Sequence, residues 1–157
     1  MTRTIHFICT GNIYRSRLAE AYCASKHIAQ LRVLSSGIAA GRDRSDLISP
    51  YAAEVLARCG LGSYAAPGWQ RTTAALVQTS DVLVFMEAEH RSFCREWIEP
   101  ARQRIEVWGI EDIGSLEPAK IPEEVERTFA MIRQRTDALL VDLGLMGEVA
   151  RNKTNAR

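Results

Sequence analysis

A cysteine and an arginine six positions apart, in Cys9-Thr10-Gly11-Asn12-Ile13-Tyr14-Arg15-Ser16, are the residues of this chain best placed to do chemistry together. Before them, residues 4–9 form a short apolar run rich in β-branched and aromatic side chains that stops at Thr10-Gly11-Asn12, which reads as a buried strand feeding a turn. After them, small and apolar positions from Leu18 to about Ile28 read as a helix, with Ser16 or its neighbour as the cap. A tight loop between a strand and a helix N-terminus turns successive N–H groups toward one centre, where the helix dipole adds positive potential. Phosphate suits that centre. Gly11 permits the turn, Asn12 tolerates a left-handed backbone and can tie the loop through its side chain, and Arg15 offers a planar fork for two phosphate oxygens. The same field favours thiolate over thiol. Cys9 is therefore expected to attack phosphorus in line, with Thr10, Gly11, Asn12, Ile13, Tyr14 and Ser16 around the phosphoryl oxygens and Arg15 stabilising their developing charge. That reaction calls for no metal and no cofactor.

A single cysteine ending a strand is more often a small buried hydrophobe. The conjunction with Gly11, Asn12, Arg15 and Ser16 reverses that reading. Nucleotide-binding glycine loops fit poorly, because the segment has neither GxGxxG nor a glycine-lysine ending.

The remaining elements have to hold this loop in place. Residues 32–35 read as a second strand closed by Ser35-Ser36-Gly37, followed by a polar loop to about Asp46 and a helix from about Ser49 to Arg58 with a structural role. Residues 81–86 form the clearest buried strand and residues 105–108 a weaker fourth. The last helix is expected from Pro122, with Val125, Phe129, Ile132, Leu139, Leu140 and Leu143 on one face. Alternating strands and helices predict an α/β fold, a single-domain doubly wound parallel sheet of about four strands with helices on both faces. The domain is expected to span residues 1–150, with 151–157 a disordered tail. Ligands of such sheets bind beyond the carboxyl ends of the strands, which points to residue 9 onward.

Composition excludes several alternatives. The 157 residues are 46% hydrophobic and 25% charged, enough for one ordinary core. Lys plus Arg number 20 against 19 Asp plus Glu, so the net charge of +1 argues against nucleic acid or an anionic membrane as partner. No run approaches the roughly 20 apolar residues of a membrane span, and the first residues lack a signal peptide's apolar region. Cys9, Cys23, Cys59 and Cys94 are widely spaced, which suits reduced thiols and a cytoplasmic protein. His6, His27 and His90 match no metal-ligand or triad spacing and read as structural or surface residues.

With these residues assembled, the chain resembles the low-molecular-weight protein tyrosine phosphatase family, whose signature is Cys, five residues, Arg, then Ser or Thr near the amino terminus. Ser36-Gly37 is similar to the family's Ser-Gly after the second strand, and Ser80-Asp81 through Met86-Glu87 to its Ala-Asp-strand-Met-Asp element. The resemblance implies a phosphatase acting on phosphate monoesters, protein phosphotyrosine above all, through a phospho-cysteine on Cys9. The partner is then a phosphorylated protein or small phosphate ester. The resemblance further implies that Ser36 supports Asn12. An ester oxygen leaving phosphorus needs a proton, and a loop carboxylate can supply it. The family places this aspartate in an Asp-Pro pair between the fourth strand and the last helix. In residues 108–114 that position falls on Asp112, with Ile113 in place of proline and Glu111 as rival.

Other departures shape the expected specificity. The stretches where phosphotyrosine enzymes of the family carry cleft aromatics, Ile38-Ala39-Ala40 and residues 113–116, hold none, so a weaker or broader aryl preference is expected. Tyr14 and Trp69 are the aromatics that could substitute. Ile13 stands where the phosphoarginine branch typically has threonine, and Tyr14 where many members have a second cysteine. Two further functions compete: a thiol-dependent arsenate reductase, whose cysteine pair seven apart is replaced here by Met86 and Phe93, and a phosphate-binding module with weak turnover.

Overall fold

The computed structural model describes residues 1–42, 46–114 and 116–147; the expected tail at 151–157 lies outside the described residues. Four strands, β1 (Arg3–Cys9), β2 (Leu31–Gly37), β3 (Val82–Phe85) and β4 (Arg104–Val107), form one sheet in the order β2-β1-β3-β4, every neighbour parallel. The α-helices are α1 (Arg15–Ala24), α2 (Pro50–Arg58), α3 (Ala74–Gln78), α4 (Ala88–Phe93) and α5 (Ile121–Asp142). The chain adds β2 on one side of β1 and β3 on the other, so the order reverses at the end of β1. Cys9 stands at that crevice, where open α/β sheets bind ligands.

Strand alternation sorts the core into two layers. Ile5, Phe7 and Cys9 of β1 join Val82, Val84 and Met86 against α1, α2 and α5, whereas Ile8, Leu83 and Phe85 face Val77 of α3 and Cys94 beyond α4. Helix α5 buries Val125, Phe129, Ile132, Leu139 and Leu140 as the three- and four-residue spacing demands, and begins at Ile121, one residue before Pro122. Helix α1 stops at Ala24, short of the expected Ile28, and the left-handed backbone of His27, with φ 52°, bars the helix from running on to Ile28.

His6 is a buried titratable group on the second face. Its Nε2 lies 2.6 Å from Ser36 Oγ, which is 2.6 Å from Thr72 Oγ1, and its Nδ1 lies 3.3 Å from Ser80 Oγ. Burial pushes its pKa down to about 3. An unfolded histidine therefore binds a proton near pH 6.5 while the folded one stays neutral, so its stabilising contribution is complete above 6.5 and is lost as pH falls toward 3. Between pH 6.5 and 4.5 this should remove about 2–3 kcal/mol of unfolding free energy, at about 1.4 kcal/mol per unit. Urea unfolding across that range checks it: His6→Gln should flatten the slope, and an unchanged slope would exclude His6 as its source.

Candidate active site

The phosphate loop rests on close backbone packing. Cys9 pairs with Gly37 in register, Ile38 N–H donates to Cys9 O at 3.0 Å and Ala39 N–H to Thr10 O at 2.9 Å. A Cβ on Gly37 would lie 2.5 Å from Thr10 O and 2.7 Å from Asn12 N, so only glycine lets the loop settle there. Asn12 takes the left-handed conformation that its residue type tolerates, with φ 55°.

Behind the loop, a chain of hydrogen bonds leads to the sulfur. Asn12 Oδ1 accepts from Gln70 N–H at 2.8 Å, while its Nδ2 donates to Ser16 Oγ at 2.8 Å and to Ser35 Oγ at 2.9 Å. Ser35 in turn donates to Glu20. Ser16 Oγ lies 2.9 Å from Cys9 Sγ and, already accepting from Asn12, can turn its own hydrogen to the sulfur; Asn12 N–H adds a second donor at 3.3 Å. Two of the expected roles are corrected here. Ser35, not Ser36, meets Asn12, because adjacent strand residues face opposite ways and Ser35 shares the α1 face with Phe7, leaving Ser36 to His6 and Thr72. Ser16 does not cap α1, whose N-cap is Tyr14 without a side-chain cap bond. The first N–H groups of α1 are thus left for the cradle.

Arg15 comes from the first turn of α1 and is 2% exposed. Its Nη1 donates to the Glu87 carboxylate and, at 2.8 Å, to Ile110 O; its Nη2 lies 3.3 Å from Thr10 Oγ1 and 3.6 Å from Asp112 Oδ2. Glu87 is also the N-cap of α4 in a reciprocal box with His90. His90 Nδ1 accepts from Glu87 N–H at 3.0 Å, which places the ring hydrogen on Nε2, where it donates to Thr10 Oγ1 at 2.9 Å. Burial, with Arg15 nearby, pushes His90 down to about 4, so it is neutral at working pH. In the sequence alone His90 reads as a structural or surface residue and Glu87 as part of a motif match. The signal that could have revealed both is their three-residue spacing at a helix start.

Cys9, Thr10, Gly11, Ile13, Tyr14 and Arg15 line a cavity of about 440 Å³, whereas the Asn12 and Ser16 side chains lie behind the loop as supports. Asp112 stands on the rim, 55% exposed, its Oδ1 held at 2.9 Å by Ile113 N–H, a donor that proline would lack. Glu111 does not line the cavity. The cavity lining also carries aromatic rings. Trp69 lies over Gly41, where φ is 77° and a Cβ would come within 2.3 Å of the indole, and Tyr51 joins it from α2, 41% exposed. The stretch at 38–40 is bare of aromatics as expected, yet two other segments supply them, and Tyr14 is nearly wholly buried. Helix α2 is therefore not purely structural: Ser49, Pro50 and Tyr51 at its start border the cavity, and Ser49 N–H donates to Ile13 O at 2.7 Å. Among the described residues no cluster of three His, Cys, Asp or Glu could hold a metal, and no helix is long and apolar enough to cross a membrane.

Fold and site together define a class, the parallel α/β proteins whose first loop presents a cysteine and an arginine to an anion. Within it, the chain belongs to the low molecular weight phosphotyrosine protein phosphatase family, whose model matches residues 4–153, and it is a phosphatase of that type. No curated protein sequence matches the chain closely enough to count as a relative. Among solved structures, Wzb from Vibrio vulnificus in complex with benzylphosphonate aligns with a TM-score of 0.73 at 22% identity, over 90% of this chain and 99% of that one. The tyrosine phosphatase Wzb from Escherichia coli K30, in complex with sulphate, gives 0.72 at 24%, over 91% and 99%. The YwlE arginine phosphatase from Geobacillus stearothermophilus gives 0.70 at 20%, over 89% and 94%. At these identities the likeness is one of fold.

Proposed function

We propose that this phosphatase hydrolyses protein phosphotyrosine in the cytoplasm through a phospho-cysteine intermediate. The observation that carries the reading is the convergence of Cys9, Arg15 and Asp112 on one cavity that Trp69 and Tyr51 also line. The Cys9 thiolate attacks phosphorus and the bond to the tyrosine oxygen breaks, Asp112 donating its proton to that oxygen as it leaves. Loop N–H groups and Arg15 stabilise the charge on the equatorial oxygens. Water then attacks the phospho-cysteine, the Asp112 carboxylate takes its proton, and phosphate departs as the thiolate is restored beside Ser16 Oγ. Thiol relay chemistry finds little support, since burial pushes the Cys94 thiol up to about 11 and the Cys23 thiol up to about 12.

Trp69 and Tyr51 favour an aryl group over the alkyl phosphates and phosphoarginine. Comparing a phosphotyrosine peptide with the matching phosphoserine peptide tests this. Trp69→Ala should raise KM for phosphotyrosine by about 2- to 12-fold, the equivalent of one aromatic pair, with kcat little changed. Equal turnover of both peptides by the wild-type enzyme would exclude the aryl reading.

A further inference from the structure

Arg17 is a buried cation that the chemistry above does not use. It is 1% exposed in α1, two residues beyond Arg15 and without access to the cavity. A guanidinium taken out of water needs acceptors on several sides. Here they are three backbone carbonyls from three segments: Asn12 O of the phosphate loop at 3.3 Å, Leu47 O before α2 at 2.8 Å, and Ala66 O. Glu20, one turn on and itself buried, lies 3.9 Å from Arg17 Nε and accepts from Ala66 N–H at 2.6 Å. Both polar backbone groups of Ala66 are thus held by the same buried pair.

That grip bears on the aromatic wall. Trp69 sits three residues beyond Ala66 and one before Gln70, whose N–H is fixed on Asn12 Oδ1 and whose Nε2 donates to Ser35 O at 2.9 Å. The short segment bearing the indole is therefore pinned at both ends to groups that touch the phosphate loop. Leu47, the third carbonyl, precedes Ser49, Pro50 and Tyr51 by a few residues, and its side chain packs near Gly68. One side chain therefore spans the loop that holds phosphorus and the two segments that bring aromatic rings.

We propose that Arg17, braced by Glu20, is a positioning residue for substrate selectivity: it sets the Trp69 and Tyr51 wall at its distance from the phosphate loop. This rests on the aryl reading above. Lysine cannot take its place, because one ammonium nitrogen on a flexible stem cannot reach three carbonyls fanned around a planar group.

The experiment measures inhibition constants for inorganic phosphate, which reads the cradle alone, and for benzylphosphonate, which reads cradle and wall together. Arg17→Lys should weaken benzylphosphonate relative to phosphate by about 2- to 12-fold, as Trp69→Ala should, with kcat on p-nitrophenyl phosphate within about twofold of wild type. Because both changes act on one wall, Arg17→Lys combined with Trp69→Ala should fall short of the product of the two separate effects, since only Tyr51 is then left for Arg17 to position. Arg17→Gln, which keeps one carbonyl bond without a charge, should behave like Arg17→Lys. An unchanged ratio in the Arg17 variants, or additivity with Trp69→Ala, overturns the proposal while leaving the aryl reading intact. An unchanged ratio in Trp69→Ala itself removes the aryl reading and this proposal with it. If neither Arg17 variant gives a cooperative thermal transition, Arg17 is a folding residue and the positioning role is refuted.

Discussion

Cys9→Ser should abolish hydrolysis of p-nitrophenyl phosphate while leaving phosphate binding within a few-fold of wild type. The two functions are separable because different atoms perform them. Binding draws on the N–H groups of the loop and on Arg15, whose guanidinium is fixed by Glu87 and Ile110 O rather than by the sulfur. Bond formation draws on Sγ alone. A serine hydroxyl there would face the same two donors, Ser16 Oγ and Asn12 N–H, and among the described residues neither group bonded to that position is a base that could take its proton. Removing a nucleophile from such a unit costs about 10⁴- to 10⁶-fold in kcat. Steady-state rates with titration calorimetry of phosphate measure the two effects separately, and retention of more than about a hundredth of the activity would sink the covalent mechanism. Arg15→Ala should differ by losing both, since its fork contacts ground state and transition state alike.

How far the sequence could be read depended on the range of the interaction concerned. The loop from Cys9 to Ser16 is contiguous, so its residue types disclosed the cradle, and the apolar runs at 4–9 and 81–86 disclosed the two central strands. The choice between Ser35 and Ser36 was not local. Two adjacent serines present the same motif, and only the pairing of Phe7 with Ser35 decides which one faces Asn12. Helices α3 and α4, of five and six residues, are too short for a 3.6-residue period to show. The aromatic wall depends on the left-handed backbone at Gly41 and on a loop 28 residues further along reaching over it, a proximity with no trace in composition or spacing. Arg17 is the clearest case: in the sequence it is an ordinary arginine in an early helical turn, and its acceptors come from residues 12, 47 and 66.

Asp112→Asn should slow turnover of poor leaving groups by about 10²- to 10⁴-fold, the contribution of a positioned general acid, and good leaving groups much less. Asparagine preserves the shape and can still accept from Ile113 N–H, so the loop has no reason to move. What it loses is the proton delivered to the departing oxygen. Phenyl phosphate and phosphotyrosine, which leave as basic phenolates, need that proton; 2,4-dinitrophenyl phosphate scarcely does. Before substrate enters, Asp112 lies 3.6 Å from Arg15 Nη2, a pairing that phosphate must displace. With the carboxylate 55% exposed, water screens that pair and its loss costs at most about 1 kcal/mol. Asp112 is then free to meet the leaving oxygen while Arg15 Nη2, its guanidinium still held by Glu87 and Ile110 O, meets phosphate. A series of aryl phosphates of graded leaving-group pKa gives the measurement: the variant's rates should fall steeply as the leaving group becomes more basic, where wild-type rates stay nearly flat. Glu111→Gln should match wild type throughout, because that side chain does not border the cavity. If the steep dependence appears in Glu111→Gln and not in Asp112→Asn, the acid is the neighbouring residue, and the loop must rearrange on binding to bring Glu111 inward.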